Sequence, residues 1–375
     1  MSDAPRPVDS TWPVMWRAAA EGLPLPADSG RCSAADAWRL LHVAVWNYHK
    51  DTVAALLAQY DLANAVCGSG DERTLLMVAV RHGSCGAAQA LLSAKAWPVL
   101  AEPRAWSALA AAAEYGQVDM MRLLLGAKAD VHAVGAMAAA GLGGDLACIR
   151  LLLDAQVDVD SYDEYGDTAL TYAIDSGHVG TVRALVEARA SVNGIGGVTP
   201  LRHAADLAMA SLLLAAKADV NAADDMGMAP ILYAAYENHQ DMVSLLLEAK
   251  AHVETADGHG ETALAHSVAG SGWPTAASRL LEAKANVDAA DHLGQTPLWH
   301  AAGNVEATTL LLEAKAAVNA VDHAGHTVLF HALRTGGNES VADLLLAAKA
   351  DAAMLPQSIA QRFCSRLTAS WRKFL

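Results

Sequence analysis

The chain alternates two kinds of apolar segment. Runs built on small residues, such as Ala204-Ala205 and Ala234-Ala235, are followed by greasier runs of the type Leu245-Leu246-Leu247. Polar stretches rich in aspartate and glycine separate each pair from the next. Apolar positions at this spacing predict two short helices joined by a turn. The leucine-type position of the first helix falls at Leu41, Leu76, Leu109, Met137, Leu170, Leu201, Ile231, Leu264, Leu298 and Leu329, at steps of 35, 33, 28, 33, 31, 30, 33, 34 and 31 residues. Self-similarity at such a period marks a repeat array. The pattern therefore predicts ten helical units and an all-α fold, not the several separate domains that 375 residues would otherwise suggest. Small residues let neighbouring helices approach closely, and the leucines supply the buried side of the second helix. No helix pair can cover that surface alone, so each unit must lean on its neighbours.

Composition supports this reading. The chain is 53% hydrophobic but poor in aromatic residues, which favours closely packed helices over strands with bulky alternating side chains. A formal net charge of -15 argues against nucleic acid, whose phosphates are held by clustered Lys and Arg. It makes a protein with a basic patch the natural partner. Cys32, Cys67, Cys85, Cys148 and Cys364 are odd in number, scattered and without a Cys-x-x-Cys pair, so neither a disulfide framework nor a zinc site is suggested. Reduced thiols fit a cytoplasmic or nuclear setting. The N-terminus carries Asp3 and prolines instead of a secretory signal, and no run reaches the roughly 20 apolar residues of a membrane helix. A soluble monomer is expected.

The segment from Asp291 to Ala302 recurs along the chain. Thr296-Pro297-Leu298 and Thr199-Pro200-Leu201 share one core, Thr168-Ala169-Leu170 and Thr262-Ala263-Leu264 soften it, and Asp163, Asp224, Asp257, Asp291 and Asp322 begin the preceding turn. Over residues 36–353 the chain thus resembles the ankyrin-repeat family, whose repeat of about 33 residues carries Thr-Pro-Leu-His-x-Ala. The resemblance implies a solenoid of about ten helix-turn-helix repeats with β-turn fingers. It also implies a scaffold or adaptor that binds another protein, with no catalytic role and no cofactor. Each motif residue has a physical reading of its own: threonine caps a helix N-terminus, and proline is tolerated at the first helical position.

The second helix of such a repeat ordinarily ends on a left-handed glycine. Here that position holds Lys95, Lys128, Lys217, Lys250, Lys284, Lys315 and Lys349, with Gln156 and Arg189 in two other repeats. A side chain there costs about 0.5–1 kcal/mol or more, and a cation beside the helix C-terminus offsets about 0.3–1 kcal/mol of it. The row is read as helix-end chemistry, the alternative being contact with an anionic partner. Spacing is also uneven. Repeat four is short at Ala133-Val134-Gly135, repeats six and nine lack residues between their helices near Asp206-Leu207-Ala208 and Gly303-Asn304-Val305, and repeats eight and ten carry an extra one near Gly270 and Gly336. The groove is expected to be irregular at those places.

The ends differ from the repeats. Residues 1–35 contain Pro5, Pro7, Pro13, Pro24 and Pro26 and read as flexible. Trp12, Met15 and Trp16 are expected to dock on the first repeat or to form a short binding motif. In residues 354–375, Ile359, Phe363, Leu367, Trp371 and Phe374 recur at helical spacing, with Arg362, Arg366, Arg372 and Lys373 elsewhere. This predicts a basic amphipathic helix capping the array. Ser358 to Cys364 resembles the start of a suppressor-of-cytokine-signalling box, with the cysteine one position late. The alternatives to a scaffold are therefore a substrate-recognition subunit of a ubiquitin ligase or a regulatory inhibitor subunit of an enzyme.

No nucleophile elbow, zinc-protease helix, phosphate-binding loop or dinucleotide fingerprint is spelled out. Asp158, Asp160 and Asp163 begin like a calcium loop but lack its glycine and bidentate glutamate. Tyr172, His203, Tyr233, His266, His300 and His331 occupy one position of successive first helices. Stacked helices would space them about 8–10 Å apart, awkward for sharing one zinc, so they read as packing residues with a hydrogen bond each. His259, His292, His323 and His326 form a second row in the fingertip turns.

In the family that the chain resembles, partners lie across the fingertips and the ends of the first helices. Carried over position by position, that surface holds Arg81, His82, Arg104, Trp106, Glu114, Tyr115, Tyr165, Asp167 and Asp175. It continues with Met226, Met228, Tyr236, Glu237, His259, Glu261, His292, Leu293, His323 and His326. Trp106, Tyr115, Met226, Met228 and Tyr236 are the expected anchors, because large apolar groups exposed on a rigid repeat need a reason.

Overall fold

The structure, a computed structural model, describes residues 12–25, 33–65, 74–96, 107–131, 135–194, 199–204, 206–270, 274–334 and 339–355. Of the expected capping helix only Met354 and Leu355 are among them. The chain forms two compact units, Met1–Ser191 and Val192–Leu375.

In the first unit, α1 (Trp12–Glu21) precedes five helix pairs: α2 (Ala34–Trp46) with α3 (Lys50–Gln59), α4 (Leu75–Arg81) with α5 (Cys85–Ser93), α6 (Ala108–Glu114) with α7 (Val118–Gly126), α8 (Ala136–Gly143) with α9 (Leu146–Asp154), and α10 (Ala169–Asp175) with α11 (Val179–Glu187). Helix α1 packs on α2, burying Met15, Ala18 and Ala19 while Trp16 stays exposed. The tightest approach surrounds α8, which is almost entirely alanine and glycine. A Cβ added at Gly141 would collide with the Ala169 backbone, and one at Gly143 with the Glu114 carbonyl. Small residues here set the distance between successive first helices.

The second unit repeats the scheme. A 3-10 turn (Pro200–His203) precedes α12 (Leu207–Ala215). Then come α13 (Pro230–Tyr236) with α14 (Gln240–Glu248), α15 (Ala263–Val268) with α16 (Thr275–Glu282), α17 (Pro297–His300) with α18 (Val305–Glu313), and α19 (Val328–Arg334) with α20 (Glu339–Ala347). The expected irregularity of repeats six and nine falls on the first helix itself, reduced to the 3-10 turn in one and to α17 plus a 3-10 turn in the other. Asp206 and Asn304 then cap the second helices by accepting from the Met209 and Ala307 amides. The other length changes, at residues 132–134, 271–273 and 335–338, lie outside the described residues.

The threonines do not all cap as expected. Thr74, Thr168, Thr262 and Thr327 accept from the amide three residues on, as does Ser107. Thr199 and Thr296, the two followed by proline, do not, and their buried hydroxyls have no partner. The tightened first turn explains this: the Arg202 and Trp299 amides bond instead to the Thr199 and Thr296 carbonyls.

Nine of the ten described second-helix ends adopt the left-handed conformation, with φ from 58° at Lys128 to 71° at Lys250, whereas α3 closes at Tyr60 in an extended one. The Lys250 amide bonds to the Leu247 carbonyl and the Ala251 amide to the Leu246 carbonyl, which is the Schellman closure of a helix C-terminus. Its apolar contact comes from the next residue, buried in most repeats, as at Ala96, Ala129, Val157 and Ala190.

Candidate functional site

Five of the described fingers are each built on an aspartate. Asp163 Oδ1 accepts from the Tyr165 and Asp167 amides at 2.9 and 3.1 Å. Asp224, Asp257, Asp291 and Asp322 accept in the same way from amides two and four residues on. The other carboxylate oxygen, Oδ2, faces back to the first helix. It accepts from the Tyr172 hydroxyl at 2.7 Å and from Tyr233 at 2.6 Å, and it pairs with Nε2 of His266 at 3.1 Å and of His300 at 3.2 Å. Tyr172, Tyr233, His266 and His300 are thus each tied to the finger of their own repeat, nine residues upstream, whereas His203 Nε2 faces Arg202 Nε at 2.8 Å. His331 departs from the pattern, because His326 Nδ1 lies 3.4 Å from Asp322 Oδ2. The His331 ring stacks on Trp299 instead, at 3.8 Å.

These bonds set the electrostatics of the turns. Burial pushes the Asp257 carboxyl up, but the Glu261 and His259 amides and the His266 ring together hold it below the usual range. Asp322 is lowered by the same balance, with His326 and Ala324 amides opposing burial. Burial, then the hydrogen bond to Asp163, pushes the Tyr172 phenol up. Burial, then the Arg334 charge, keeps His331 below the ordinary imidazole value.

Fingers of the second unit are also tied to one another. The Gly258 amide bonds to the Met226 carbonyl, His292 to His259 and His323 to Leu293, at 2.8–3.0 Å. A row of fingertips is therefore held by backbone while its side chains point into solvent. Met226 and Leu293 in these turns are 65% and 61% exposed; Tyr165 in a first-unit finger is 74% exposed, and Tyr236 and Tyr115 at first-helix ends 69% and 45%. His259, His292, His323, Arg81, Asp175 and Glu237 are exposed, whereas His82, Glu114, Asp167, Met228, Glu261 and His326 are half-buried. Arg104 and Trp106 lie outside the described residues.

The structure brings some of these residues together. The Tyr236 ring meets the His266 ring edge-on at 6.1 Å, and His326 stacks on Phe330 at 4.2 Å. Sequence reasoning passed over Trp46 and Tyr48. Trp46 is exposed and lies 4.0 Å from the His82 ring. Tyr48 holds a left-handed φ of 65° and donates its hydroxyl to the His82 carbonyl at 2.6 Å. An aromatic where other repeats place glycine, as at Gly83 and Gly116, was the available signal. Arg202 was also missed: it reaches Asp224 at 2.7 Å and the Tyr233 hydroxyl at 2.9 Å.

Two overlapping groups offer metal-ligating atoms within 4.8 Å of one another: Asp257, Glu261 and His266, and Glu261, Asp291 and His300. On the second helices, a cleft of about 330 Å³ between α16 and α18 is lined by Pro274, Ser278, Val305 and Thr309 among others. Among the described residues, no helix is long and apolar enough to cross a membrane.

A family model described as ankyrin repeats (3 copies) matches residues 41–134, 136–224, 201–291 and 268–354. No curated protein matches the chain.

Proposed function

Because the chain belongs to the ankyrin-repeat family, whose repeats generally serve as protein-protein interaction modules, we propose that it is a scaffold or adaptor. It takes hold of a partner protein through its fingertips and first-helix ends. The observation that carries this reading is the exposure of Tyr165, Met226 and Leu293 on turns closed by a finger aspartate, and of Tyr236 at the end of α13. Side chains of this kind, presented on a preorganised frame, can anchor a partner without much ordering cost.

The partner carries a basic patch, since the chain's net charge is -15 and its exposed carboxylates would steer a cationic surface toward the fingers. The lysines of the second-helix ends hold the left-handed closing position and take no part. The protein works as a monomer, without catalysis, in a cytoplasmic or nuclear setting that suits the free thiols of Cys85 and Cys148. Affinity capture on the intact chain, with proteins identified by mass spectrometry, tests the reading. A partner should be recovered by wild type and lost from a Met226→Ala, Tyr236→Ala double variant of unchanged helicity. Equal recovery by both would overturn the assignment of this surface.

A further inference from the structure

We propose that repeat eight carries a divalent-cation site of the zinc class, ligated by His266 Nδ1 and the Glu261 carboxylate. The Asp291–His300 pair of the following repeat faces the same carboxylate.

Asp257 fixes the tautomer of His266. Asp257 Oδ1 is committed to the His259 and Glu261 amides at 2.8 and 2.9 Å, and its Oδ2 lies 3.1 Å from His266 Nε2. A carboxylate oxygen at that distance needs a donor, so in the neutral ring the proton sits on Nε2 and Nδ1 is a bare lone pair. Nδ1 faces Glu261 Oε2 at 3.7 Å, beyond hydrogen-bonding range. Two acceptors therefore look at each other across a gap. Around one tetrahedral zinc at about 2.0–2.2 Å, two ligand atoms stand about 3.4 Å apart, so closing the gap on an ion takes a shift of only a few tenths of an ångström.

The surroundings fit the same chemistry. A metal-bound histidine almost always gives its other N–H to a carboxylate that fixes its orientation, and Asp257 holds His266 in that way. Both proposed ligands are sheltered, with side chains 12% exposed for His266 and 28% for Glu261. Glu261 also has ligand atoms of Asp291 and His300 within 4.8 Å. Asp257, Glu261 and Asp291 place three carboxylates around two rings, and no Lys or Arg among the described residues pairs with them. Mixed imidazole and carboxylate donors suit zinc better than calcium or magnesium. Spacing along the chain sets histidines of successive repeats too far apart to share an ion. The structure supplies a closer second ligand, Glu261 of the same finger.

Two substitutions borrowed from other repeats test the site with little risk to folding. Tyrosine stands where His266 does in two repeats, bonding the finger aspartate through Tyr172 and Tyr233, and Gln295 stands where Glu261 does in the next. Zinc chloride is titrated calorimetrically into the intact chain, wild type, His266→Tyr and Glu261→Gln, with no partner present. One saturable site is expected in wild type, with a raised melting temperature, and each variant should weaken it at least about tenfold. No saturable uptake by wild type, or equal uptake by the variants, would overturn the proposal. So would a stability that follows pH but ignores zinc, since a proton would then fill the gap. None of these outcomes bears on partner binding.

Discussion

The Tyr233 hydroxyl donates to Asp224 Oδ2 at 2.6 Å, and Asp224 is almost closed to solvent, its side chain 5% exposed. Arg202, from the preceding repeat, bonds to both groups. Finger, first helix and neighbouring repeat thus converge on one carboxylate.

Burial pushes the Asp224 carboxyl up, but the Tyr233 hydroxyl, the Met228 and Met226 amides and Arg202 outweigh it and hold the carboxyl below its usual value. A folded pKa below the unfolded value near 3.9 gives stability that is present above about pH 4 and lost as pH falls through the folded pKa. Asp224→Asn should cost about 1–3 kcal/mol at neutral pH, and its stability should fall less steeply than wild type below about pH 4. Urea unfolding of both proteins from pH 7 to pH 2.5 measures this; parallel profiles would contradict it.

The left-handed lysines make a second prediction. Lys250 and Lys284 hold φ of 71° and 66°, a strain that glycine does not feel. Lys250→Gly and Lys284→Gly should each stabilise the protein by about 0.5–1 kcal/mol, less the unfolded-state entropy that glycine adds and the lost helix-end charge. Chemical denaturation reads the sign. A clear loss of stability in both variants would mean that these lysines hold the helix end by something other than position.

Close approach of first helices can be tested at Gly143. A Cβ there meets the Glu114 carbonyl, a backbone atom that cannot swing aside as a side chain can. Gly143→Ala is expected to cost about 2–3 kcal/mol through overpacking. Gly126→Ala, where a Cβ meets nothing within 4 Å, should be close to neutral. Similar melting temperatures for the two variants would show that α8 shifts freely.

Tyr165 provides a probe of the first unit's surface. It is 74% exposed on a finger held by Asp163, so Tyr165→Ala should leave stability within about 0.5 kcal/mol of wild type. If the partner spans both units, the variant should lower affinity at least about tenfold, a loss typical of an anchoring aromatic. Binding measured against a captured partner decides; unchanged affinity would confine the docking surface to the second unit.

Much of this protein is determined by its sequence alone. The period, the all-α class, the family and the strained lysine at seven second-helix ends all rest on interactions within one repeat. Helix periodicity, a threonine cap or a terminal position can be read from about a dozen adjacent residues. Tertiary structure decided what depends on how a finger folds back on its helix and on the next repeat. The pairing of Asp257 with His266 and of Asp224 with Tyr233 places residues nine apart in contact, and neither helical nor strand periodicity predicts that spacing. The loss of the Thr199 and Thr296 caps followed from a first turn tightened by its repeat's length, and the facing of Glu261 with His266 from side-chain direction. Local chemistry is written residue by residue, whereas contacts across a turn exist only once the stack has set the distance between them.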